Sequence, residues 1–90
     1  MESTEILRGH AIVVADRGFV YVGDCVVDSN WCVISNARNI RKWGTTKGLG
    51  ELATDGPTDD TVIDAVGTVR IPMPDGVKHL IDTEAAKWTR

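Results

Sequence analysis

The stretch Trp31-Cys32-Val33-Ile34-Ser35-Asn36-Ala37-Arg38-Asn39-Ile40-Arg41-Lys42-Trp43 decides how this chain is read, because it changes character halfway along. It opens as an apolar strand, Trp31 to Asn36, and closes as a basic cluster of polar side chains bracketed by tryptophans. The segments on its N-terminal side carry strand composition. Ala11 to Ala15 is a β-branched apolar run that stops at the tight-turn signal Asp16-Arg17-Gly18. Phe19 to Val27 follows as the second strand of a hairpin, apolar on both faces except at Asp24, where a strand with one wet face would alternate. Both sides of it are therefore expected to be covered, by the rest of the domain or by a second copy. Asp28-Ser29-Asn30 makes the next turn, so Trp31 to Asn36 is the third strand of a meander.

On the C-terminal side the alternation ends at Asn36. From there to Gly50 the chain carries Arg38, Arg41, Lys42 and Lys47 and no acid. Leu49 and Leu52-Ala53 share a helical face and Asp55-Gly56-Pro57 is a stop, which predicts a short helix near residues 46–54. The charge then reverses through Glu51, Asp55, Asp59, Asp60 and Asp64. That reversal fits pairing within the chain, or complementary faces of a homo-oligomer. Thr61 to Pro72 reads as a strand with Gly67 as a bend, Pro74-Asp75-Gly76 as a turn, and Val77 to Asp82 as the returning strand. Thr83 caps a terminal helical turn with Trp88 packed back on the sheet. Residues 1–9 are polar and expected to fray. The sum is a mainly β (α+β) fold: a small antiparallel sheet or partly open barrel of about five strands, with one short central helix and a C-terminal helical turn.

Ninety residues make one domain, spanning 1–90. Thirteen acids against ten bases exclude a general nucleic-acid coat. No run of about 20 apolar residues is long enough to cross a membrane, and the acidic Met1-Glu2-Ser3-Thr4-Glu5 start is unlike a signal peptide, so a cytoplasmic location is expected. Cys25 and Cys32 are too few for a disulfide framework and are expected as free thiols serving as small core residues, although their places beside a hairpin turn also admit a cross-strand pair. Motifs for catalysis fail. Gly48-Leu49-Gly50-Glu51-Leu52-Ala53 matches a dinucleotide fingerprint in letters, but the chain has no strand-helix-strand unit around it. His10 and His79 stand apart from each other and from the cysteines, so no metal site is expected, and no nucleophile has a local signature. A non-enzymatic protein without cofactor is the expectation.

What remains is a binding constellation. Arg38 and Arg41 can grip phosphate, Asn36 and Asn39 can read a base or sugar edge, Trp43 offers a stacking face, and Arg17 on its turn could close the site. The competing reading makes the tryptophans core residues and the arginines solvated.

The segments Asn36-Ala37-Arg38-Asn39-Ile40-Arg41-Lys42-Trp43 and Gly48-Leu49-Gly50-Glu51-Leu52-Ala53-Thr54-Asp55-Gly56 resemble a family of small phage and prophage proteins of unassigned function, with the pattern N-A-R-R-I-W-x-W, then T-L-x-E-L-A-x-x-G. Arg17-Gly18-Phe19-Val20-Tyr21-Val22-Gly23 matches the family's opening strand in part; Asn39, Arg41 and Lys42 depart from it. The resemblance implies an accessory protein in the host cytoplasm, of the kind that acts in counter-defence by binding a nucleotide signal or a host defence protein, as anti-CRISPR and related factors do. The expected function is thus a homo-oligomeric β domain binding an anionic nucleotide-type ligand or an acidic partner surface. The alternative is a virion assembly protein or protein–protein inhibitor that uses the apolar Phe19–Val27 strand.

Overall fold

The computed structural model describes residues 7–45, 48–73 and 75–88. Five antiparallel strands form one sheet: β1 (Leu7–Ala15), β2 (Val20–Val27), β3 (Trp31–Lys42), β4 (Val62–Pro72) and β5 (Val77–Asp82), in the spatial order β4-β3-β2-β1-β5. One helix, α1 (Leu49–Asp55), joins β3 to β4, and two 3-10 turns lie at Asp16–Gly18 and Ala85–Lys87. The expected mainly β fold is thus the observed one.

Several boundaries move. β1 starts at Leu7, four residues before the expected Ala11, because residues 7–9 pair with Val27, Val26 and Cys25 instead of fraying. Residues 1–6 lie outside the described residues. The third strand does not stop at Asn36 but runs to Lys42, paired on one side with β2 and on the other with β4. α1 begins at Leu49; Thr46 and Lys47 lie outside the described residues.

The sheet is rolled, and connectivity forces the roll. β4 and β5 occupy opposite edges, which in a flat sheet would stand about 19 Å apart, four strand spacings of roughly 4.8 Å. Only residues 73–76 join them, and the Gly76 N–H donates back to the Pro72 carbonyl at 3.0 Å. The same link is tied to both hairpin ends. Asp16 N–H donates to the Gly76 carbonyl (2.8 Å), and Met73 N–H to the Asn30 carbonyl (2.9 Å).

Rolling gives the sheet an inside and an outside, each with its own core. Ala11, Val13, Cys25, Val27, Cys32, Ile34, Ala37 and Ile71 fill the inside. Ile12, Val20, Val22 and Ile40 point outward, under Leu52 and Ala53 of α1 and under Trp88. This answers the puzzle of β2: both its faces are buried, and this chain alone buries them. α1 is held against the tail by the Glu84 N–H donating to the Ala53 carbonyl (3.0 Å). Its cap Gly56, at φ +83°, approaches the Lys87 carbonyl so closely that a Cβ would sit 2.4 Å from the oxygen.

Cys25 and Cys32 are free and buried. Cys25 lies opposite Ile34 and Cys32 opposite Val27, so the two thiols are diagonal neighbours, farther apart at Cβ than a disulfide requires. Contact with Cys32, and then burial, push the Cys25 thiol up, which makes it an inert core group.

Besides register shifts at Val14–Ala15 and Ile40–Lys42, the sheet is irregular on three strands at one level. Gly23 on β2 lies between the pairs Val22–Arg38 and Asp24–Ser35, so it faces two β3 residues, Asn36 and Ala37. On the other side of β3, Ala37 pairs with Gly67 and Arg38 with Ala65, leaving Val66 as an extra residue of β4. Asn36 adopts φ +52°, a conformation asparagine tolerates better than most residues, and Gly67 adopts φ +84°. A Cβ on Gly23 would meet Ile34 Cγ2 and the Ser35 carbonyl oxygen, each at 2.8 Å. Gly23→Ala is therefore expected to destabilise the fold by about 1–3 kcal/mol, the usual cost of overpacking. Gly9→Ala, which meets nothing within 4 Å, should be neutral or stabilise by up to about 1 kcal/mol. Urea denaturation of the two variants side by side checks the contrast.

Candidate functional site

The bulged level of the sheet opens on a cavity of about 480 Å³, a volume within the range of small-molecule sites. Its walls come from every strand but β5 and from the tail: His10, Asp24, Asn36, Arg38 and Trp88 supply chemistry, while Gly23, Ala37, Ala65, Gly67 and Ala85 keep it open. The cavity follows from the bulge, since an extra residue in each of β3 and β4 spreads the strands where glycine leaves no side chain to fill the gap.

Arg38 is placed by its strand and by the tail. It pairs in register with Val22, and its guanidinium lies 5.8 Å from the centre of the Trp88 ring. Nη2 donates to the Trp88 carbonyl at 3.2 Å. A cation held on an indole face in this way is attracted by the ring and has lost much of its rotamer freedom. Trp88 is itself 5% exposed, and its Nε1–H is a buried donor with no acceptor among the described residues. Buried donors are nearly always satisfied, so one left over in a cavity wall calls for a reason.

His10 and Asp24 face each other across the β1–β2 ladder. The Thr83 hydroxyl donates to the His10 carbonyl at 3.0 Å, so its oxygen is left to accept from Nδ1–H, with which it is in contact. That assigns the proton to Nδ1 and leaves Nε2 as an acceptor. Burial lowers the His10 pKa; Asp24 pulls it back up and Arg38 pushes it down further. Asp24 is exposed and makes no hydrogen bond or ion pair among the described residues.

The residues singled out in the sequence divide. Asn36 and Arg38 line the cavity. Arg41 does not: it is the extra β3 residue at a further register shift against β4, between Ile40 and Lys42, and its Nε pairs with Asp64 Oδ2 at 2.5 Å. Here the basic and acidic segments pair within the chain. Asn39 Nδ2 donates to the Val20 carbonyl (3.1 Å), which spends one of its donors on the neighbouring strand. Trp43, 42% exposed, and Arg17, at φ +63° in the first turn, are absent from the cavity wall. Three wall residues escaped the sequence reading as ligand groups: His10, Asp24 and Trp88. Only Asp24 left a signal, as the one polar residue of an otherwise apolar strand.

Among the described residues no three His, Cys, Asp or Glu side chains are grouped to hold a metal ion, and no helix is long and apolar enough to cross a membrane. No known protein family, curated protein or solved structure matches the chain.

The lowered His10 pKa has a consequence for stability. The unfolded chain, with its ordinary value of 6.5, binds the proton more readily than the folded one. The contribution is therefore complete above that pH and is lost as pH falls from there through the lowered folded value. His10→Gln should flatten the decline in melting temperature between about pH 7 and pH 5; thermal melts of both proteins across that range measure it.

Proposed function

We propose that this protein is a non-catalytic binding module whose bulge cavity holds an anionic, nucleotide-type ligand. The observation that carries the proposal is the Arg38 guanidinium fixed over the Trp88 indole in the wall of an open cavity. A preorganised guanidinium binds phosphate with little further ordering cost, and its planar fork of N–H groups matches the geometry of an oxyanion. The Asn36 side chain adds a donor to the same wall. In the phage or prophage setting that the sequence resemblance implies, sequestering such a ligand is a counter-defence activity in the host cytoplasm.

The assembly reading has less support. Of the Phe19–Val27 strand that it would use as a contact, Val20, Val22, Cys25 and Val27 are filled in by this chain's own side chains, while Phe19 is 54% exposed.

Calorimetric titration with a panel of cyclic dinucleotides, mononucleotides and ADP-ribose-type compounds tests the proposal. At least one is expected to give saturable heat. Arg38→Gln should weaken it by roughly tenfold or more, the value of a charge-assisted hydrogen bond, without unfolding the protein. Loss of heat in Arg41→Gln but not in Arg38→Gln would move the site to the opposite face. No heat with any member would remove the nucleotide reading altogether.

A further inference from the structure

We infer that the cavity selects ribonucleotides over 2′-deoxyribonucleotides, with Asp24 as the group that holds the ribose diol. The inference rests on the nucleotide reading above and extends it to the choice of sugar.

The argument begins with the charge balance of the wall. A site for a plain polyanion collects cations, yet here Arg38 is opposed by the Asp24 carboxylate, and His10 is held toward its neutral form by burial. The formal charges of the wall cancel. A phosphate drawn to Arg38 is repelled by Asp24, so the cavity is polarised and the ligand has to be polarised with it, anionic at one end and rich in hydrogen-bond donors at the other.

Asp24 is available for that second role. It projects from β2 next to Gly23, makes no hydrogen bond or ion pair among the described residues, and is the only carboxylate in the wall. An ionised carboxylate accepts and cannot donate, and its two oxygens match two adjacent donors. The 2′- and 3′-hydroxyls of ribose are such a pair, and a carboxylate on a ribose hydroxyl is a general way of reading that sugar. His10 Nε2, left as an acceptor by the Thr83 contact, lies on the ladder partner of Asp24 and reinforces the preference for donors at this end. Removal of the 2′-hydroxyl would take away one hydrogen bond to the carboxylate, worth about 1.5 kcal/mol or tenfold in affinity.

The test compares ribonucleoside 5′-monophosphates with their 2′-deoxy counterparts by calorimetric titration of the full chain, wild type and Asp24→Ala. Asp24 is exposed and makes no hydrogen bond or ion pair among the described residues, so its replacement leaves the packing intact; a melting curve verifies this. The wild type is expected to prefer the ribose form by roughly tenfold, one lost hydrogen bond to a charged group, and Asp24→Ala to bring that ratio close to one. Equal affinity of the wild type for both sugars, or a preference that survives in Asp24→Ala, overturns this inference and leaves the proposed function standing. Absence of binding by either series, together with a silent wider panel, overturns both.

Discussion

The structure depends on a change of parity in the middle of β3. Ile34 and Ile40 are six residues apart, and in an uninterrupted strand they would share a face. Instead Ile34 is packed inside the rolled sheet and Ile40 outside it, beneath α1 and Trp88. The extra residue at Asn36–Ala37 makes the switch, since a single inserted position moves every later side chain to the other face. A chain of this size buries a smaller fraction of its surface than a large domain does, so each added buried face counts. By turning over once, β3 serves two cores, and its neighbours accommodate the turn with Gly23 on one side and Val66-Gly67 on the other.

The candidate site is a by-product of the same switch. Arg38 is the second residue after the bulge, which aims it outward to Trp88, while the gap left by the bulged strands becomes the cavity. Structure and binding thus draw on the same irregularity. The irregularity also matters for the edge of the sheet: β4 pairs only with β3 among the described residues, and a long strand with one free edge invites further pairing. Its bulge and its positive-φ glycine interrupt the template that another strand would need.

Much of the architecture was legible in the sequence, and the reasons are local. The β-branched run at Ala11–Ala15, the Asp16-Arg17-Gly18 turn, the Asp28 cap that accepts from the Asn30 and Trp31 N–H groups (2.8 and 2.7 Å), and the Gly56 stop all act within a few residues. The second half of β3 was not legible, because Arg38, Asn39, Arg41 and Lys42 do not look like a strand, and the bulge resets the alternation that would have revealed one. Nor was the pairing of Arg38 with Trp88, fifty positions apart. That Trp88 returns to the sheet was expected from the sequence; that it meets Arg38 there depends on the bulge in β3, which no local pattern encodes. Arg38 and Asn36 were found by residue type; Arg41 parted from them at the register shift between Ile40 and Lys42, where it pairs with Asp64.

The β1–β5 ladder joins Ala11 to Asp82, 71 positions apart in the chain. During synthesis β1 leaves the ribosome early and pairs with β2, but its other edge waits for the last strand to be made. Until then the outer apolar residues lack Trp88 as well. Closing the sheet therefore carries the loop-closure entropy of bringing two distant segments together.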